Sequence, residues 1–233
     1  MQSRRPPATR GPGRPVDPDL HDRRRGEILA AAGRHFAAHG YAGADTQQLA
    51  DALGIAKGTV FRYFPTKRGL FGACIEAALV RLSGTIDAAA AAVDDPLDKL
   101  CRAMRAYLSF FDANPHVVEL LILERAEFKH RKSSYFHHRD RPGSEQEWRG
   151  LLRGLVAAKR LRPLPAGRIL DFLGDLLYGT IFSHHMSGRR RGLGARYPAL
   201  LDTVLHALLT DGERRRVLRR PARRRRRAAV EPR

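Results

Sequence analysis

Lys57, Gly58, Thr59, Arg62, Tyr63 and Lys67 crowd into eleven residues of a 233-residue chain. Their chemistry is that of a surface built to meet a polyanion with readable edges. Lys57 can neutralise a phosphate, and Tyr63 and Lys67 can reach a sugar-phosphate backbone. Gly58 allows close backbone approach. Thr59 offers a hydroxyl and a methyl to base edges, and the Arg62 guanidinium matches guanine or phosphate. A helix presenting its first residues in a major groove would use such a set.

The surrounding residues are spaced to hold that helix. In Thr46–Pro65, Asp45 can N-cap a first short helix, and Gln48 completes a capping-box pattern. Leu49 and Leu53 share one face. Ala50 is small enough for a second helix to cross there. Gly54 falls at the turn, where positive φ is needed. Ile55 and Val60 return to the shared core, and Pro65 stops the second helix. Upstream, Ile28, Ala32 and Phe36 form a stripe in a helix from about Arg23, which Gly40 ends.

Downstream periodicity is helical throughout. Patterns run over 67–93, 97–113, 115–129, around Trp148–Val156, over 166–187 and over 195–209, with a polar loop at 130–143. No strand pattern is evident. The expected fold is all-α, with about nine helices.

The net charge of +19 sits mostly at the ends. Residues 1–25 carry net +4, and 214–227 hold ten Arg and no acid. Residues 1–22 read as a flexible basic arm and 213–233 as a basic disordered tail. Such segments attract polyanions without reading sequence. Cys74 and Cys101 have no metal spacing and read as buried thiols. No run of about 18 apolar residues suggests a membrane span, and the basic, Pro-rich start is not a secretory signal. The cytoplasm is the expected compartment.

Phe36-Ala37-Ala38-His39-Gly40-Tyr41, Leu49-Ala50 and Gly54-Ile55-Ala56-Lys57-Gly58-Thr59-Val60-Phe61-Arg62-Tyr63-Phe64-Pro65-Thr66-Lys67 resemble the N-terminal domain of TetR-type transcriptional regulators. The resemblance covers 23–83. It implies a three-helix helix-turn-helix domain followed, over 84–212, by a larger effector-binding and dimerisation domain. It also implies a homodimer on a palindromic double-stranded operator, with repression relieved by a small molecule. By position, it adds Thr46, Gln47 and Phe61 to the DNA contacts at Lys57, Gly58, Thr59, Tyr63 and Lys67. Two positions depart from the family. Ala44-Asp45 replaces a hydroxyl-bearing pair, which would turn an acid toward phosphate if exposed. Phe61 replaces the usual Tyr and lacks its hydroxyl.

For the C-terminal half, Met104, Tyr107, Phe111, Leu120, Leu123 and Trp148 are the pocket candidates, for an apolar or aromatic effector. Leu173, Leu177, Ile181, Leu201 and Leu205 are the dimer candidates, on helices too apolar for free surfaces. No catalytic residue, cofactor site or metal site is expected in 95–212. The pairs His116/Glu119 and Glu127/His130 would lie roughly 16 Å apart on one helix, too far to share an ion. His137 and His138 lie among basic residues, and His184-His185 ends an apolar helix. Two rival readings are a small helical enzyme, for which a nucleophile–base motif is lacking, and a non-specific nucleic-acid binder driven by its tails.

Overall fold

A computed structural model describes residues 18–129, 134–135, 142–189 and 192–219. Among them are ten α-helices. They are α1 (Pro18–Gly43), α2 (Thr46–Ala52), α3 (Lys57–Tyr63), α4 (Lys67–Ala91), α5 (Pro96–Ala113), α6 (Pro115–Glu127), α7 (Pro142–Ala157), α8 (Ala166–Met186), α9 (Tyr197–Leu208) and α10 (Asp211–Arg219). A single 3-10 turn, Gly194–Arg196, precedes α9. The all-helical expectation holds for the described residues, where the one extended contact is an isolated antiparallel bridge, Leu161 to Leu209.

Local sequence explains the breaks. Gly40 sits at φ 72° and kinks α1 where the helix was expected to end. Asp95 accepts from the amides of Leu97 and Asp98, and Pro96 opens α5. Asn114 ends α5 and Pro115 starts α6, the first-turn position where a missing N–H costs nothing. Two boundaries differ from the sequence reading. The first helix begins at Pro18 rather than near Arg23, so 18–22 are helix and not arm. Asp211–Arg219 form α10, so the segment read as disordered from 213 starts as a helix. Residues 1–17 and 220–233 lie outside the described residues, as do His130, His137 and His138.

The long helix α4 is the frame. It buries Leu70, Phe71, Cys74, Ile75, Ala78, Leu79 and Leu82 against α1, α5 and α6. By length and composition α4 could cross a membrane; its apolar stripe instead forms the centre of the bundle. Burial pushes the Cys74 thiol up to about 12, and its sulfur donates to the Leu29 carbonyl at 3.5 Å. That is the inert thiol expected from sequence.

The dimer candidates on α8 need correction. Leu173, Leu177 and Ile181 are buried within this chain, at 4%, 9% and 1% exposure. They fall on one helical face with Ile169, and that face packs inward. The outward face of α8 instead carries Phe172 at 44% and Met186 at 66% exposure, with Gly179 and Ser183 exposed between them. On α9, Leu201 and Leu205 are half-buried. Apolar content alone did not say which α8 face meets the core.

Far from α2 and α3, Arg160 ties three segments. It gives two hydrogen bonds to Asp95, at 2.9 and 3.1 Å, and two to Glu213, at 3.0 and 2.8 Å. The three side chains are 12%, 26% and 5% exposed. Burial would raise the Asp95 carboxyl, but hydrogen bonds from Arg160 and from the Asp98 and Leu97 amides outweigh it and hold it below the usual range. Arg160→Ala takes the shared guanidinium from both carboxylates, so it should lower the unfolding free energy by up to about 3–5 kcal/mol, read by urea titration. A depressed carboxyl stabilises above its unfolded pKa of about 3.9 and loses that contribution as pH falls through the lower folded value. Asp95→Asn should therefore flatten the acid limb of the stability curve; an unchanged limb would show that Asp95 contributes nothing to it.

Candidate nucleic-acid interface

Two seven-residue helices, α2 and α3, are too short to persist alone. Burial and caps hold them. Ala50 and Val60 are fully buried and Leu49 nearly so. The Asp45 carboxylate accepts from the Gln47 amide at 2.7 Å. That is one residue nearer than the amide of Gln48, the capping-box residue. Gly54 turns the chain at φ 63°, with open space around it. Its left-handed backbone, not crowding, accounts for glycine there. Phe64 is extended before Pro65, as the residue before proline tends to be.

This packing leaves the start of α3 outward. Lys57, Gly58 and Arg62 are exposed, and Thr59 and Phe61 are half-buried. Nothing lies within 4 Å of a side chain built at Gly58, so the surface there is open for close approach. On α2, Thr46 is half-buried and Gln47 exposed, its amide donating to Asp51 at 2.8 Å. Asp45 is exposed, but its carboxylate is occupied by the cap.

Two of the expected contacts also serve the fold. The Lys67 ammonium donates to the Ala42 carbonyl at 2.9 Å and lies 5.4 Å from the Tyr41 ring centroid. It ties the start of α4 to the end of α1. Tyr63 packs against His21, with centroids 4.6 Å apart and ring planes tilted by 33°. The Arg25 guanidinium lies 5.4 Å from the Phe64 ring. Sequence reading missed His21 and Arg25, because it placed His21 in an arm and the partners lie about forty residues away in the chain. These contacts set the basic start of α1 beside the end of α3.

The C-terminal candidates are brought together only in part. Met104, Tyr107, Phe111 and Leu120 are buried; Leu123 and Trp148 are half-buried against the same core. The hydroxyls of Tyr107 and Tyr135 share a hydrogen bond of 2.9 Å. Tyr135 also packs on Tyr178, and Tyr178 on Phe182, at 4.7 and 4.3 Å. The groove of about 460 Å³ between α7 and α8 is lined by other residues, including Arg149, Arg153, Val156 and Leu164. His185 Nε2 lies 2.8 Å from Glu119, tying α8 to α6. Among the described residues no His, Cys, Asp or Glu group is placed to hold a metal.

Known proteins match this arrangement. Residues 28–74 match the family described as bacterial regulatory proteins, tetR family. Over 62 residues the chain is 40% identical to the HTH-type transcriptional repressor AcnR of Corynebacterium efficiens, a match covering 27% of this chain and 33% of that protein. Over 91 residues it is 29% identical to the HTH-type transcriptional activator FasR of Mycolicibacterium smegmatis, covering 39% and 42%. The matched stretch thus spans less than half of each of these curated relatives. Across most of the chain, the solved structure of the fatty acid degradation regulator FadR from Bacillus halodurans superposes with a TM-score of 0.67 at 20% identity, covering 78% of this chain and 94% of that one. The ketosteroid transcriptional regulator KstR2 of Mycobacterium tuberculosis superposes at 0.62 and 20% identity, covering 81% and 96%. Residues 28–74 thus match the helix-turn-helix segment of TetR-family regulators, on a chain whose fold is like that of these solved regulators.

Proposed function

We propose that this protein is a sequence-specific DNA-binding transcriptional regulator, a cytoplasmic repressor that a small-molecule effector releases from a palindromic operator. The observation that carries the reading is the split of α3: Val60 is fully buried while Lys57, Gly58 and Arg62 face outward. Burial of one face orients the other for the groove. Lys57 takes a phosphate, Gly58 admits the backbone, and Thr59 with Phe61 meets base edges. Thr46 and Gln47 approach from the first helix.

The working unit in this reading is a homodimer, with recognition helices about 34–36 Å apart. The outward face of α8, from Phe172 through Gly179 and Ser183 to Met186, joins Leu201 and Leu205 of α9 as the contact surface. The small residues let two helices approach closely. The effector is apolar or aromatic and sits among α5, α6, α7 and α8, near Met104, Tyr107, Phe111, Leu120, Leu123 and Trp148. It acts by favouring the wider spacing of the recognition helices. Inverting a 99:1 population takes about 5.5 kcal/mol of differential binding. Glu119–His185 and the packing of α6 on α1 give that change a route.

Selection of bound duplexes from genomic DNA should return a two-fold symmetric site. On that site, Lys57→Ala should weaken every sequence alike and reduce the salt slope by about 0.9. Thr59→Ala should relax the preference at one base pair and weaken binding by about 1–3 kcal/mol. Tyr63→Phe removes a phosphate-reaching hydroxyl but keeps the ring on His21, so it separates binding from folding. Unchanged affinity and selectivity in all three variants would end the helix-turn-helix reading.

Phe172→Arg places a charge on the outward face without touching the core. It should convert the dimer to monomers in sedimentation equilibrium and weaken operator binding. A Phe172→Arg protein that stays dimeric would assign the interface elsewhere.

A further inference from the structure

The last turn of α8 carries a polar side chain that the fold leaves unpaired. His184 is 6% exposed, and both its ring nitrogens are buried without a hydrogen-bond partner. An uncharged imidazole brings one donor and one acceptor, and the large majority of buried side-chain polar atoms are paired. Fraying does not explain the exception. Ser187 Oγ donates to the His184 carbonyl at 2.8 Å, and His185 Nε2 lies 2.8 Å from Glu119. The amides of Leu193 and Gly194 donate to Asp112 at 3.0 and 3.3 Å. These bonds fix the end of α8, and the turn after it, to the end of α5 and the first half of α6.

Position links His184 to the effector residues. Ile169, Leu173, Leu177, Ile181 and His184 are the buried residues of α8 and recur at three- and four-residue spacing, so the imidazole continues the face turned toward the core. The two acids that hold this end of α8, Asp112 and Glu119, adjoin Phe111 and Leu120 in the chain. Both of those are buried, at 2% and 1% exposure, and both are effector candidates. Leu120 in turn lies 3.6 Å from where a side chain would start on Gly33 of α1. Charge narrows the ligand further. Tyrosines and Cys74 aside, the buried polar or charged side chains among the described residues are His184 and Glu213, and Glu213 is bonded to Arg160. A charged ligand at His184 would therefore meet no buried counter-charge, and a buried charge without one is strongly disfavoured.

We propose that His184 is the polar contact of the effector site, and that the effector is an uncharged, mostly apolar molecule whose hydroxyl or carbonyl bonds this imidazole. Resting on the effector reading above, this assignment adds to it one residue and one chemical requirement. A site built to pair such a group discriminates against the analogue that lacks it, because the buried imidazole is then left unpaired. A ligand on His184 lies one residue from the His185–Glu119 bond. That bond joins α8 to α6, the helix that packs on α1.

The test titrates two isosteric probes, phenol and toluene, into the full-length protein by calorimetry; they differ by one hydroxyl. The natural chain is compared with His184→Leu and with His184→Asn and His184→Gln, whose amides stand in for Nδ1 and Nε2. The ratio of phenol affinity to toluene affinity should fall about tenfold in His184→Leu, the effect of one hydrogen bond. One of the two amide variants should return it to within about threefold of the natural value. Without ligand, His184→Leu should melt at an unchanged temperature or up to about 4 °C higher, because it removes two buried unpaired nitrogens. The titrations contain no DNA, so their failure leaves the operator reading standing, and failure to select an operator leaves the titrations standing. Three results would overturn the proposal. One is no phenol binding by the natural chain. Another is the same affinity ratio in the natural chain and in His184→Leu. The third is a His184→Leu melting temperature lowered by several degrees, which makes the histidine a structural part of the core.

Discussion

One knot of aromatic rings joins the two halves of this protein. Phe36 and Tyr41 come from α1, Phe71 from α4, and Phe128 from the end of α6. Phe71 meets Phe36 and Tyr41 edge-on at 5.1 Å, and Phe128 meets Tyr41 at 5.3 Å. Such pairs add directional preference to the burial of large apolar surface. The Arg68 guanidinium caps the cluster 4.9 Å from Phe128. Phe128 thus belongs to the seam where α1, α4 and α6 meet. Nearby, Gly33 of α1 faces Leu120 and His116 of α6 and Cys74 of α4 within 3.6 to 3.9 Å of where a side chain would start. A change in the position of α6 cannot leave α1 undisturbed, because close-packed interiors transmit displacement rather than absorb it.

The same seam bears on charge. His116 lies there between Arg34 of α1 and Arg81 of α4; burial first, and then those two arginines, lower its pKa. His35 is shifted the same way by burial and by His39. Beside Arg34 and Arg81, a further positive charge on the His116 imidazole is disfavoured. The short helix α3 stands one step away, just before Lys67, whose bond to Ala42 ties α4 to α1. Its orientation is inherited from the seam, since seven residues cannot define an orientation alone.

At the other end, α4 acts as a spacer whose length is set by helix geometry. The Arg160 cluster there closes the bundle by joining the α4–α5 turn, the segment before α8 and the start of α10. Adjacent backbone contacts repeat the join: Arg162 donates to Leu208 at 2.8 Å and Thr210 to Arg160 at 3.1 Å. A buried pair of this kind contributes less to net stability than its geometry suggests, because both partners lose water. Its effect is on placement, holding α10 against the α4–α5 turn and the segment before α8.

The sequence by itself determined the helix-turn-helix. Asp45, Ala50, Gly54, Val60 and Pro65 act within twenty-one residues, through caps, a left-handed turn and a proline stop, and local physics of that kind is written in neighbouring letters. It also marked the breaks at Asp95-Pro96 and Asn114-Pro115. The tertiary structure decided what depends on distant partners. Which face of α8 turns inward follows from what α5, α6 and α7 present to it, and an apolar helix does not announce that. Tyr63 on His21, His185 on Glu119 and Arg160 on Asp95 and Glu213 are pairings across 42 to 66 residues.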